Sequence, residues 1–565
     1  MPKPLPKKVT KTQEEKLEER LEEKLTEVVR QQEETRAKLL AEKSKLPYVS
    51  LTTMPVDSDA MLLISEKDAV AGKMVVIRKV ENELKIAVAD PNNPETKRVL
   101  DELDKKYTHQ LFIASNHGLQ QILERYKTTK YKGRDITGQI EISEELLLKL
   151  KEELKSLEDI KKKVDGMPQA VATGVLEVIV AGAMQNDASD IHLETKEDGA
   201  VFRFRIDGVL HDVVFLSTKT YGLIISRLKL MSNMVLNVKD VAQDGRFTIK
   251  LSDMEIEVRV SIIPGPNGEN VVMRLLNPKS INLSIKDLGI RNDAYEYLIK
   301  EIAKPNGMII TTGPTGSGKT TALYAFLKEV TNPEIKVITL EDPVEYHLAG
   351  VTQTQVEADR GYTFAAGLRA ILRQDPDVIL VGEIRDKETA EIAIQSALTG
   401  HIVFSTLHTN DAAGAIPRFI DMGANPTTLS SALIDILAQR LLRRVCKFCA
   451  EDYDATPEEL EKIKKALEGV PATVAIPDYS KGIKLAKGKG CPKCNNTGYK
   501  GRVGVFEIIP INEELEKLIA KSPSHAEIVE MLKKTGFVSM YQDGVIKILE
   551  KKTTFEELDD VVGQR

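Results

Sequence analysis

The sequence predicts a multidomain α/β protein whose centre is a doubly wound parallel sheet. Three observations predict it. Between residues 279 and 445, apolar strand-like runs alternate with helical stretches, as in parallel strands joined by crossover helices. Inside that region, MIITTGPTGSGKTTALYAFL sets a glycine-rich loop between an apolar strand and a helix. The chain has 565 residues, 42% of them hydrophobic, which is enough for several cores at the usual ~150 residues per domain.

Bulk properties narrow the class. The net charge of −6 disfavours a dedicated nucleic-acid binder. Aromatics are sparse and Trp is absent, so stacking platforms for single strands are not expected. No apolar run reaches the ~18 residues of a membrane span. The basic start MPKPLPKKVTK lacks the apolar stretch of a signal peptide. Four cysteines in so long a chain argue for a reducing compartment. The expectation is a soluble, cytoplasmic protein that takes no nucleic acid.

The elements follow in order. Residues 1–45 read as a charged arm, helical over 12–45, with Leu17, Leu21, Leu25 and Val28 in a narrow stripe. It reads as solvated; the alternative is a docking helix for a partner such as a cytoplasmic adaptor. Residues 46–126 form a small α/β domain with strands in MVVIRKV, ELKIAVAD and LFIAS. Residues 127–166 read as a charged linker containing a helix, and 167–278 as a second α/β domain. Residues 279–445 hold the parallel sheet, 446–500 all four cysteines, and 501–565 a mostly helical end.

Gly313-x-x-x-x-Gly318-Lys319-Thr320 is a P-loop in its confirming context, strand before and helix after. Its stretch Gly313, Pro314, Thr315, Gly316, Ser317, Gly318, Lys319, Thr320 and Thr321 predicts a nucleoside triphosphate site. Backbone N–H groups and the helix start hold phosphate oxygens. Lys319 reaches the β- and γ-phosphates, and Thr320 offers its hydroxyl to magnesium. Downstream, KVITLEDPVEY ends in Glu341, Asp342 and Glu345, and DVILVGEIRD ends in Glu383. Parallel strands bring both ends to the P-loop edge, one carboxylate for the metal and another for the water. Gly382 is expected where a side chain would crowd the phosphates. His401 and His408 bracket a further strand, IVFSTL. Cys446-x-x-Cys449 and Cys491-x-x-Cys494 suit a closed, structural tetrahedral zinc site. The intervening loop should carry a helix over TPEELEKIKKAL; unrelated thiols or a redox pair are the alternatives.

GPTGSGKTT, ITLEDPVEY, LRQDPDVILVGEIRD and TGHIVFSTLHTNDA together resemble the four ATP-site boxes of the secretion ATPase superfamily, in its type II secretion (GspE) and type IV pilus assembly (PilB) branches. The resemblance extends through ASDIHLE, RFRIDGVL, QDGRF, GENVVMRLL and TGYKGRVGVFEI, over residues ~167–565. It implies a RecA-like core, a preceding PAS-like domain and a divergent GspE/MshE-like amino-terminal domain. That last domain lacks the leucine-rich motif by which some relatives bind cyclic di-GMP, so this ligand is not expected. It implies that Glu345 activates the attacking water and that Glu383 acts on magnesium, directly or through its water shell. It implies that His408 senses the γ-phosphate, and that Arg259 and Arg274 are brought to the nucleotide by the preceding domain. Where the family often has a basic, proline-containing stretch before QDGR, this chain has NVKDVAQDGRF, so a contact near Arg246 is expected to differ. The implied protein is a cytoplasmic homohexamer at the inner face of the membrane, using ATP, Mg2+ and Zn2+. It would drive pilus assembly through an inner-membrane platform protein (PilC/GspF-like). Type II secretion is the alternative; a nucleic-acid motor and a nucleotide-gated regulatory module are further ones.

Overall fold

The computed structural model describes residues 31–563, except 52–55, 57, 62, 81–82, 105, 130–138, 142–149, 151–152, 155, 168–171, 251–254, 277–282 and 480–481. The chain divides into two compact units, Met1–Asp135 and Ile136–Arg565.

The first unit is a three-stranded sheet with helices packed on it. Strands β1 (Met74–Val80) and β2 (Glu83–Val88) are antiparallel, and β3 (Thr108–Ile113) lies parallel to β2. Residues 31–44 are helical and bury Ala37 and Ala41 in this unit's core. Glu33 and Glu34 reach across to His117 N (2.9 Å) and Ser115 Oγ (2.9 Å). This part of the arm is therefore anchored rather than solvated. The stripe Leu17, Leu21, Leu25 and Val28 lies outside the described residues.

The second unit opens with the sheet of the PAS-like α/β domain. Its strands are β4 (Gln139–Glu141), β5 (Ala188–Thr195), β6 (Gly199–Ile206), β7 (Val209–Ser217), β8 (Gln243–Lys250), β9 (Glu255–Gly265) and β10 (Gly268–Leu276), in the order β4-β8-β9-β10-β5-β6-β7. Helices Ala172–Gln185 and Thr218–Met231 share its core. Leu150, Leu154, Ile160 and Val164, from the segment read as linker, are buried in the same core. They form two i, i+4 pairs, which helical geometry sets on one face. Charged neighbours hide that stripe in the composition.

The RecA-like core follows. Its strands are β11 (Gly307–Thr312), β12 (Val337–Glu341), β13 (Val351–Gln355), β14 (Val378–Val381), β15 (Ile402–Leu407) and β16 (Leu433–Val445). A small ribbon of β17 (Ala450–Asp454) and β18 (Lys484–Gly488) precedes β19 (Tyr499–Pro510), which returns antiparallel to β16. The sheet order is β13-β12-β14-β15-β11-β16-β19. Strands β11, β12, β14 and β15 are buried at every position, as expected of parallel strands covered on both faces. Alternate residues serve the two sides: Ile309, Leu380 and Phe404 pack with Leu323 and Phe326 of the helix after the P-loop. Ile310, Val381 and Val403 pack with Leu368 and Ala393 on the other. β19 occupies the first residues of the segment read as helical; helices run from Glu513 onward. Among the described residues no helix is long and apolar enough to cross a membrane.

Candidate active site

The phosphate loop joins β11 to helix Lys319–Val330. Gly313, Gly316 and Gly318 have φ of 150°, 79° and 91°, a region that side chains make costly. Two of them also lie hard against β16. A Cβ at Gly313 would stand 2.6 Å from the Gln439 carbonyl oxygen, and one at Gly318 2.8 Å from its Nε2. Gln439 thus forms the floor of the loop, a residue the sequence did not point to. Its Oε1 and Ser317 Oγ are buried without a hydrogen-bond partner among the described residues. Pro314, Thr315, Gly316 and Thr320 are exposed. The Lys319 ammonium donates to the carbonyls of Gly313 (2.8 Å) and Pro314 (3.1 Å). Burial lowers its pKa to about 8, against the opposing pull of Glu383. The loop edge lines a cavity of about 960 Å³ between the PAS-like domain and the core, touched by Gly318, Thr321, Leu275, Arg443 and Phe448.

Glu383 follows β14 and is nearly buried. One carboxylate oxygen meets Arg385 Nη2 at 2.6 Å, and the other lies 3.5 Å from His408 Nε2. Burial, then the Lys319 charge, lowers the pKa of His408, so its imidazole is neutral near pH 7. Lys319, Glu383 and His408 therefore form one group. Arg385 belongs to it too, a residue the sequence did not single out. His401 does not belong. Its Nδ1 is 3.0 Å from the Ser396 carbonyl at the opposite end of β15, and six strand residues make ~20 Å.

The acids after β12 separate clearly. Glu341 is buried and accepts from Tyr324, Thr339 and Gln353, a structural role. Glu345 faces the PAS-like domain, with its carboxylate 3.2 Å from Arg259 Nη1. Arg259 and Arg274 stand directly opposite each other on β9 and β10, and Arg246 opposite Arg259 on β8. Arg274 Nε is bound to Asp190 at 3.0 Å, and its charge also acts on Glu345. Arg246 is exposed and lies 3.9 Å from Glu257.

Gly382 meets a constraint from the protein itself. A Cβ there would meet the Leu340 carbonyl oxygen at 3.2 Å and Glu341 Cα at 3.3 Å. The backbone of β12 is by itself enough to favour a glycine at this position.

The four cysteine sulfurs lie within 4.8 Å of one another, with Cys446–Cys491 at 4.0 Å, Cys449–Cys494 at 3.8 Å and Cys491–Cys494 at 3.7 Å. A tetrahedral zinc with ~2.3 Å bonds spaces its sulfurs by about 3.8 Å, so the donor set fits zinc. Helix Pro457–Ala466, closed by a Thr456/Glu459 capping box, fills the long loop between the knuckles.

A phosphate loop on a RecA-like sheet, with carboxylates after β12 and β14 of the same sheet, makes this a P-loop ATP hydrolase. A family model described as type II/IV secretion system protein matches residues 168–560, and one for the MshEN domain matches 44–132. Type II secretion system protein E of Pseudomonas aeruginosa is 42% identical over 429 residues, 75% of this chain and 82% of its own. Type II secretion system ATPase E of Vibrio cholerae is 39% identical over 465 residues, 82% and 88%. Type IV pilus assembly ATPase PilB of Myxococcus xanthus is 36% identical over 533 residues, 93% and 91%. The chain belongs to the type II/IV secretion system protein family.

Proposed function

We propose that this chain is a cytoplasmic motor ATPase, a homohexamer at the inner face of the cytoplasmic membrane, that drives type IV pilus assembly through a platform protein. The observation that carries the ATPase chemistry is the gathering of Lys319, Glu383 and His408 at the phosphate loop, with Arg259 reaching Glu345 from the neighbouring domain. The loop N–H groups and Lys319 hold the phosphates of ATP. The cavity beside Gly318 and Thr321 receives the nucleoside. Thr320 and, directly or through water, Glu383 hold magnesium, which neutralises charge on the phosphates. Glu345 takes a proton from the attacking water. Arg259 and Arg274 compensate the charge that spreads over the γ-phosphate oxygens, and His408 reads the state of that group. Cys446, Cys449, Cys491 and Cys494 hold a structural zinc.

Pilus assembly is supported by the PilB alignment, which spans 93% of this chain against 75–82% for the two type II secretion relatives. Type II secretion is the second reading, favoured by the higher identity of those relatives. Magnesium-dependent hydrolysis by the purified chain, lost at least ~100-fold in Lys319→Ala and Glu345→Ala, tests the chemistry. Wild-type turnover in Glu345→Ala would refute its role. Binding to pilus or to secretion platform proteins from one host separates the two pathways.

A further inference from the structure

The contact between Arg259 and Glu345 joins two groups whose proposed tasks exclude it. Arg259 Nη1 lies 3.2 Å from the Glu345 carboxylate, its Nη2 donates to the Val344 carbonyl, and its Nε stands 3.6 Å from Glu257. All three guanidinium nitrogens are thus engaged. The guanidinium must leave Glu345 and Val344 before it can offer its paired N–H groups to a phosphate. The Glu345 oxygen occupied by the guanidinium is not open to a water at that point. The partners come from different domains, far apart in the chain. Arg274, opposite on β10, does not share the contact, because Asp190 of its own sheet holds it.

We infer that Arg259 and Glu345 form a latch that keeps the site silent until a triphosphate arrives. A triphosphate offers several negative charges on oxygens suited to a guanidinium, where Glu345 offers one. It draws Arg259 away and frees Glu345 in the same event. ADP lacks the γ-phosphate and is a weaker competitor. The exchange also removes a tie between the PAS-like domain and the core, so recognition of the γ-phosphate is coupled to domain position. This rests on the catalytic roles proposed above, but its test does not read turnover.

The test is a double-mutant cycle on binding. The affinity of the full chain for a non-hydrolysable ATP analogue and for ADP, each with magnesium, is measured in wild type, Glu345→Gln, Arg259→Gln and the double variant. Glu345→Gln should tighten analogue binding about two- to five-fold, the range of a partly exposed charge pair, and ADP binding less. In the Arg259→Gln background that gain should vanish. An equal gain in both backgrounds would mean simple removal of a negative charge, and no gain at all would mean no latch; either overturns the inference. If Arg259→Gln does not fold, Arg259→Lys keeps the charge without the two-pronged grip, and the gain should shrink there too. Turnover of Glu345→Gln is read separately. Wild-type hydrolysis would remove the water-activating role while leaving the binding cycle to be judged alone.

Discussion

Lys319 sits in its own loop with two carbonyls for partners, and burial holds its pKa near 8. Phosphates beside an amine favour its charged form, so binding raises that pKa. Below about pH 7 the amine is already charged and binding should take up no proton. At pH 8.5 part of it is neutral, and binding should take up a fraction of a proton, with affinity falling as pH rises further. Calorimetry of a non-hydrolysable ATP analogue in two buffers of different ionisation enthalpy measures the uptake. Equal heats at pH 8.5 would sink the idea. Much of this neighbourhood was legible beforehand, because the P-loop and the acids are local strings. Arg385 and Gln439 were not. Arg385 looks like any surface arginine until Glu383 is seen against it, and Gln439 comes from a strand more than 100 residues further on.

At the scale of elements, close approaches between strands decide more than composition does. Gly382 lets β14 end against the backbone of β12. Gly382→Asp should therefore lower stability by about 1–3 kcal/mol through overpacking, visible as an earlier thermal transition, and should not raise hydrolysis. Improved turnover would instead place the new carboxylate at the metal. The helix Met540–Leu549 is fastened by Asp543, which is fully buried, 3.0 Å from Arg291 Nη1, and accepts from Phe506 N at 2.8 Å. Asp543→Ala leaves Arg291 with Asp293 alone, takes the counter-charge from the buried Lys547 and should cost about 3–5 kcal/mol, read in denaturant unfolding; Asp543→Asn keeps an acceptor for Phe506 and should cost less. The buried parallel strands announced themselves as continuous apolar runs. The helix Leu157–Asp165 did not announce its burial, since its two buried positions, Ile160 and Val164, sit among charges.

Across the second unit as a whole, the tetracysteine module bears on more than its own fold. Asn495, directly after Cys494, donates to Asn186 Oδ1 (3.1 Å) and accepts from Leu157 N (3.2 Å). Gly501 N donates to Asp207 Oδ2 at 2.8 Å. The second knuckle therefore clasps the domain that carries Arg259 and Arg274. Stripping the proposed zinc with a chelator should raise amide hydrogen exchange both at the knuckles and at residues 186–187, 207 and 495–501, and re-addition should restore protection. Faster exchange confined to the knuckles would mean that the clasp does not depend on the metal.

The amino-acid order alone determines what local strings and spacings encode. These are the phosphate loop between strand and helix, the two-faced parallel sheet, the paired cysteine knuckles and the acidic strand ends. Each depends on backbone conformation or side-chain period within a few residues. Tertiary structure alone decided which acid serves which neighbour: Glu341 is consumed by hydrogen bonds, Glu383 is shared between Arg385 and His408, and Glu345 is held by Arg259. It also sent His401 to the far end of its strand and set Gly382 hard against β12. These outcomes depend on strand register and on how one domain sits on the next, which residues far apart in the chain settle together.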